Sequence, residues 1–364
     1  MTTLLAELTT LRLGGPAARV VEVHAAEDFV EAVRSADAAG EPPLLVGGGS
    51  NLVVADEGWP GPVIAIRTEG IEVRQGIEVR QGIDVRGGID VRGGIDVTDA
   101  DDGWLQVTAQ AGVPWDALVH LSVTEGWSGL AAMSGIPGRT GATPVQNVGA
   151  YGSEVADTIS ALTVLDRRTG LVETWSPQRC GFGFRTSAFK HTDRYVVVDV
   201  TFTLRRGLQG APVRYVELAR RLGVAPGDTA PSTEIRDVVL DLRRSKGMLL
   251  DPDDHDTWSV GSFFVNPFVE PAQVPDGCPN WVVDGGIKLS AAWLIEQAGF
   301  GKGYGLDRDG GRVALSTKHT LALTNRGGGT TAELLRLARE IRDGVDARFG
   351  IRLRPEAHLV GVEL

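Results

Sequence analysis

The sequence predicts an α+β protein of two domains, and three observations carry that prediction. Up to about residue 206, short runs of alternating apolar residues dominate, with few helical stretches among them. Beyond about residue 207 the apolar spacing becomes mainly helical. Within the β-rich part, two glycine-rich segments at 46–51 and 134–152 are too irregular for strand or helix and too apolar for linkers. Such segments are ordered loops whose backbone approaches something else. The 364 residues are ample for two or three domains.

Each element has its own signal. Residues 19–24 alternate like a strand, and 26–39 show helical spacing through Phe29, Val30 and Val33. A second short strand at 43–46 runs into Gly47-Gly48-Gly49-Ser50-Asn51. Residues 104–109 read as a strand, and Pro114 opens a helix where its missing N–H costs nothing. Strands follow at 161–166, 171–175 and 195–204. Past a boundary at about 207–212, Pro231-Ser232-Thr233 starts a helix running to about Lys246. A helix at 289–298 is stopped by Gly299, and 330–349 is a long amphipathic helix with Leu334, Leu337, Ile341 and Val345 on one face. The chain ends in a strand at 353–362. The expected domains are therefore 1–206 and 207–364, with the last strand (about 352–364) packing back on the first domain.

One segment stands apart. From 70 to 97 the unit Gly-Ile-(Glu/Asp)-Val-Arg-(Gln/Gly) repeats every six residues. Each unit offers a four-residue strand and a two-residue turn, and the even period puts Ile and Val on one face. An expanded surface hairpin without chemistry is expected here; a solenoid-like binding module is the alternative.

Composition narrows the function classes. A hydrophobic content of 42% and a charged content of 23% are ordinary for a globular chain. The formal net charge of −11 argues against nucleic acid or an anionic membrane as partner. Any anionic ligand must be met by local basic residues. The six His lack metal-ligand spacing, and Cys180 and Cys278 lie far apart, so neither a metal site nor a disulfide is expected. No signal peptide or membrane-spanning run is visible, so a cytoplasmic, monomeric protein is expected.

Five motifs could carry chemistry. The segment 134–152 carries no negative charge and offers glycine N–H groups with Ser134, Thr143, Gln146 and Asn147, which suits an anionic cofactor with a heteroaromatic edge. The Gly47–Asn51 run follows a strand, as phosphate-cradling loops do, but is neither G-x-G-x-x-G nor a P-loop; a tight turn is the alternative. Phe184-Arg-Thr-Ser-Ala-Phe-Lys190 sets Arg185 among aromatics, where it could pair with a carboxylate or phosphate or simply be solvated. Ser262, in Gly-Ser-Phe-Phe-Val-Asn-Pro267, lacks a nucleophile elbow and reads as a proton donor or a turn serine. Glu356, in Arg-Pro-Glu-Ala-His358, reads as an acid or a strand-edge carboxylate.

Taken in order, these motifs together with Ala-Ala-Trp-Leu-Ile-Glu-Gln-Ala-Gly-Phe-Gly-Lys-Gly-Tyr304 resemble the UDP-N-acetylenolpyruvoylglucosamine reductases, also called UDP-N-acetylmuramate dehydrogenases. The resemblance runs from Thr10 to the C-terminus, interrupted by the repeat. It implies a vanillyl-alcohol-oxidase (PCMH)-type FAD-binding domain of two α+β subdomains and a C-terminal α+β substrate domain. It implies bound FAD, NADPH as co-substrate, and a UDP-sugar enolpyruvyl ether as substrate, in peptidoglycan precursor synthesis. FAD would be held by Gly47, Gly48, Gly49, Ser50 and Asn51, and by Ser134, Gly135, Ile136, Pro137, Gly141, Ala142, Gln146, Asn147, Gly149, Ala150 and Gly152. Arg185 matches the family's substrate-activating Arg, Ser262 its proton donor and Glu356 its catalytic acid. Tyr215 resembles the substrate-closing Tyr of a longer subtype, and Lys246, Asn266 and Gln297 match substrate-contact positions. Two departures are Phe184, where Tyr is common, and the repeat itself. A flavin oxidase on another substrate, or a non-catalytic repeat protein, are the competing readings.

Overall fold

The computed structural model describes residues 3–75, 103–283 and 286–364. Most of the repeat therefore lies outside the described residues. Its first unit forms the strand Ile71–Gln75, antiparallel to Trp104–Gln110. The helices are α1 (Ala26–Ala38), α2 (Trp115–Thr124), α3 (Pro177–Cys180), α4 (Val216–Leu222), α5 (Ser232–Ser245), α6 (Ala291–Gln297) and α7 (Thr331–Phe349), so the chain is α+β. Among the described residues no helix is long and apolar enough to cross a membrane.

The chain forms two compact units. One comprises Val21–Gly47 and Ile64–Leu242; the other comprises Met1–Val20, Gly48–Val63 and Arg243–Leu364. The first is built on an antiparallel sheet in the order Leu171–Trp175, Ile159–Asp166, Tyr195–Arg206, Trp104–Gln110, Ile71–Gln75, with Trp127–Ser128 against the end of the long central strand. Both faces of that sheet are buried. Val200, Phe202 and Leu204 pack with Trp115 and Leu118 of α2. Val196 and Val198 pack with Phe29 and Val33 of α1.

Composition put the boundary near Gly207, but the structure keeps 207–242 with the sheet unit. Val213, Leu218, Ile235 and Val239 pack with Val123 and Ala131, an apolar cluster that the switch from strand to helix spacing does not reveal. Cys180 and Cys278 are free and buried, and burial pushes the Cys180 thiol up to about 12.

In the second unit, α6 and α7 share a core with Phe263, Phe264, Leu315 and Leu323. The hairpin Val313–Leu315/Leu323–Asn325 and the sheet Phe268–Val269, Gly286–Leu289, Asn280–Val283 complete it, with Gly286–Leu289 central. The strand expected over 353–362 is shorter, His358–Val360, and pairs in parallel with Leu52–Val54. Pro355 has no N–H to give a ladder and makes only an isolated bridge to Phe264. The strand Trp59–Ile66 was not foreseen, because Pro60 and Pro62 demote such a run in any pattern reading.

Candidate active site

In the second unit the glycine run is fixed by close packing. Gly49 has φ +60°, and a Cβ there would lie 1.9 Å from the Leu8 carbonyl oxygen, so only glycine fits. Thr10 N–H donates to Gly49 O at 3.3 Å, and Thr10 Oγ1 to Ser259 O at 2.7 Å. Asn51 O accepts His358 N–H at 2.8 Å, and Asn51 Nδ2 donates to Glu356 O at 3.4 Å. Glu356 N–H donates in turn to Phe263 O at 2.8 Å, and Val265 N–H to Arg354 O at 3.0 Å. The structure thus brings Asn51, Glu356 and the Ser262 segment together, although they span more than 300 residues of sequence, as the Asn51–Glu356 separation of 305 records. Ser262 and Glu356 are half-buried above the fully buried Phe263 and Phe264.

The proposed substrate contacts of this unit are placed differently from one another. Asn266 Oδ1 accepts Ala291 N–H at 2.9 Å, so its amide oxygen caps the first turn of α6. Gln297 is exposed on the last turn of α6, and Lys246 follows α5. Near Lys246 lies His319, whose imidazole is held down to about 4 by burial and by the charges of Lys246 and Lys302. Motif reading gave neither His319 nor Lys302 a role. Their grouping with Lys246 exists only after folding.

In the sheet unit the 134–152 loop holds one 3₁₀ turn, Thr140–Ala142, and a short strand, Gly149–Ala150, and is pinned by bonds from its neighbours. Trp115 Nε1 donates to Met133 O, Gly141 N–H to Ala111 O and Ser187 Oγ to Val145 O. Ser134 Oγ donates to Ala131 O at 2.7 Å and Thr143 Oγ1 to Thr140 O at 2.8 Å. Both side chains are buried, so they stabilise the loop from within instead of facing a ring edge. Asn147, at φ +45°, donates to Glu154 Oε2 and Gly183 O and accepts Ala156 N–H. The glycine N–H groups of this stretch and its lack of acidic side chains suit an anionic dinucleotide.

Asp116 is a second residue that motif reading missed. Its Oδ1 accepts Gly135 N–H at 2.6 Å, and Arg236 of α5 grips the carboxylate in bidentate fashion at 2.7 and 2.9 Å. Burial pushes this carboxyl up, but the Arg236 and Gly135 hydrogen bonds outweigh it and hold it below the ordinary range.

Arg185 sits at the tip of the two-residue turn closed by Gly183 and Thr186. Its φ is +53°, a left-handed conformation that costs a non-glycine residue about 1 kcal/mol. Its guanidinium donates to Gly149 O at 2.7 Å and to Asn147 O at 3.3 Å, and Lys190 Nζ donates to its carbonyl at 2.8 Å. The arginine is thereby tied to the loop expected to hold the cofactor. Tyr215, part exposed, packs edge-on against Tyr151 at 5.4 Å, and Tyr151 is itself at φ +50°. Three left-handed non-glycine residues, Asn147, Tyr151 and Arg185, thus belong to one neighbourhood.

Comparison with known proteins places this geometry. An FAD binding domain model matches residues 17–176, and the model of the UDP-N-acetylenolpyruvoylglucosamine reductase C-terminal domain matches 251–360. The UDP-N-acetylenolpyruvoylglucosamine reductase of Saccharopolyspora erythraea is 52% identical over 99% of this chain and 95% of its own length. That of Thermobifida fusca is 48% identical over 99% of this chain and 97% of its own. The crystal structure of UDP-N-acetylenolpyruvylglucosamine reductase from Thermus caldophilus shares the fold, with a TM-score of 0.62 at 23% identity over 99% of this chain and 98% of that one. With an FAD binding domain, a reductase C-terminal domain and full-length relatives at about half identity, the chain belongs to the UDP-N-acetylenolpyruvoylglucosamine reductase family.

Proposed function

We propose that this protein reduces UDP-N-acetylglucosamine enolpyruvate to UDP-N-acetylmuramate, with FAD bound and NADPH as donor, for peptidoglycan precursors in the cytoplasm. The observation that carries the reading is the Glu356–Phe263 backbone bond, which sets the acid beside the segment bearing Ser262. The residues fit FAD, because the Gly47–Asn51 run and the 134–152 loop are rich in glycine N–H groups and carry no acidic side chain. Bound FAD would supply the hydride needed at C3 of the enol ether, with NADPH as its source.

The chain's own residues handle charge and proton. An enol ether is electron-rich, so hydride addition needs electron withdrawal through the substrate carboxylate. Arg185 meets that carboxylate and, with Glu356 acting as an acid, stabilises the negative charge that develops. Ser262 Oγ gives its proton to C2. The tie from Arg185 to Gly149 and Asn147 restricts its guanidinium before substrate arrives, which lowers the cost of reorganisation. Tyr215 closes over the nucleotide, while Lys246, Asn266 and Gln297 contact the substrate. With Asn266 Oδ1 committed to Ala291, its contribution falls to Nδ2.

The test is an anaerobic visible spectrum. NADPH should bleach the yellow protein, and the UDP-enolpyruvyl sugar should restore the colour. In Ser262→Ala the bleaching should be unchanged and the restoration slower by about 10² to 10⁴-fold, the range for loss of a general acid. Wild-type protein that bleaches but is not restored by the sugar would discard this substrate. Restoration at the wild-type rate in Ser262→Ala would remove the serine from the mechanism.

A further inference from the structure

Two arginines to which the motifs assign no role, Arg67 and Arg139 of the 134–152 loop, meet at Gly47. Arg67 Nη1 donates to Gly47 O at 2.8 Å and to Ile66 O at 3.0 Å. Arg139 also packs on Gly47: a Cβ there would stand 3.3 Å from Arg139 Cγ and 3.4 Å from its Cβ. Arg139 Nη1 donates to Gly112 O at 2.9 Å, and Gly112 N–H donates to Thr68 Oγ1 at 2.8 Å. Gly47, Arg67, Thr68, Gly112 and Arg139 therefore form one knot. Both arginines are half-buried.

The charge in that knot is poorly compensated. The hydrogen bonds of both guanidinia go to carbonyl oxygens; among the described residues the nearest carboxylate to Arg67 is Glu22 at 3.9 Å, itself half exposed. Burial and the neighbouring Arg67 charge hold the Arg139 guanidinium below its ordinary range, while Glu69 only partly offsets them. In a chain of net charge −11, two like charges set side by side against a glycine run are a local arrangement that a bound dianion would relieve.

We infer that Arg67 and Arg139 neutralise the diphosphate of the dinucleotide cofactor, a role that rests on the FAD reading above. The arrangement separates tasks. Arg67 fixes the Gly47 carbonyl and so orients the peptide that opens the glycine run, whereas Arg139 adds charge beside it. Arg139 is thus the residue whose loss is felt as charge more than as fold. A UDP-sugar also carries a diphosphate, but the contact with Gly47 at the start of the cofactor run assigns the pair to the cofactor.

The test compares wild-type holoprotein with Arg139→Gln and Arg139→Lys. FAD release is followed by flavin fluorescence at rising potassium chloride, and the Michaelis constant for the UDP-enolpyruvyl sugar is measured alongside. Arg139→Gln should release FAD at about tenfold higher protein concentration or more, the scale of one lost charge-assisted contact. Its salt dependence should be shallower than that of wild type, and Arg139→Lys should recover most of both. FAD binding unchanged, or weakened equally at every salt concentration and not recovered by Lys, would overturn the proposal. So would a raised Michaelis constant with FAD retention intact, since the diphosphate served would then be the substrate's. A wild-type protein that holds no flavin would fail the FAD reading itself and is distinguished before any variant is made.

Discussion

His319 shows what one residue contributes when its neighbours share its sign. Its imidazole is held at about 4, first by burial and then by Lys246 and Lys302. The unfolded chain takes up a proton near pH 6.5, whereas the folded chain refuses it until about pH 4. Stability is therefore complete above about pH 6.5 and falls as pH drops through that window, by at most about 3 kcal/mol. In urea unfolding from pH 7 to pH 4, His319→Gln should lose less stability than wild type, and parallel curves would refute this. The carboxylates held low, Asp116 and Asp256, act only at lower pH and leave the window clear.

At the scale of elements, α7 depends on caps from two parts of the chain. Thr330 Oγ1 accepts Glu333 N–H and Glu333 Oε2 accepts Thr330 N–H, a reciprocal capping box. Asp56 adds its carboxylate, accepting Thr331 N–H at 2.8 Å and Ala332 N–H at 2.9 Å. Three of the orphan donors of the first turn are met this way. Thr330→Ala should cost about 1 kcal/mol, as N-cap losses do. Asp56→Ala should cost about 2 kcal/mol, because two charge-assisted bonds and the helix dipole are lost together. Chemical denaturation reads both, and an Asp56 variant as stable as wild type would contradict the assignment.

The same helix marks where sequence reading succeeds and stops. Its span was legible to within one residue, because apolar spacing and caps are local. Asp56 was not, since its partners lie 275 and 276 residues away. The motif residues Ser262 and Glu356 were legible singly, while their adjacency waited for the Glu356–Phe263 bond. Asp116 and Arg67 belong to no motif, and Arg139, though inside the 134–152 loop, has no role that the motif names; each matters through a backbone group that only the fold brings near.

At the scale of the whole molecule, the 70–97 repeat lies within a chain that matches a full-length relative over 99% of its residues. Deleting 76–93, three whole units, should leave the turnover number close to wild type. A well-folded deletion protein with a large loss of turnover would give the repeat a part in function.

The parallel pairing of His358–Val360 with Leu52–Val54 has a temporal side. Residue 360 leaves the ribosome some 300 residues after its partner, so the unit bearing Asn51, Ser262 and Glu356 stays open until that residue has emerged. The sheet unit, which ends at Leu242, has no such wait. A nascent chain can therefore fold the loop that ties down Arg185 well before the acid exists. A message cut before codon 356 yields a protein with that loop but without Glu356.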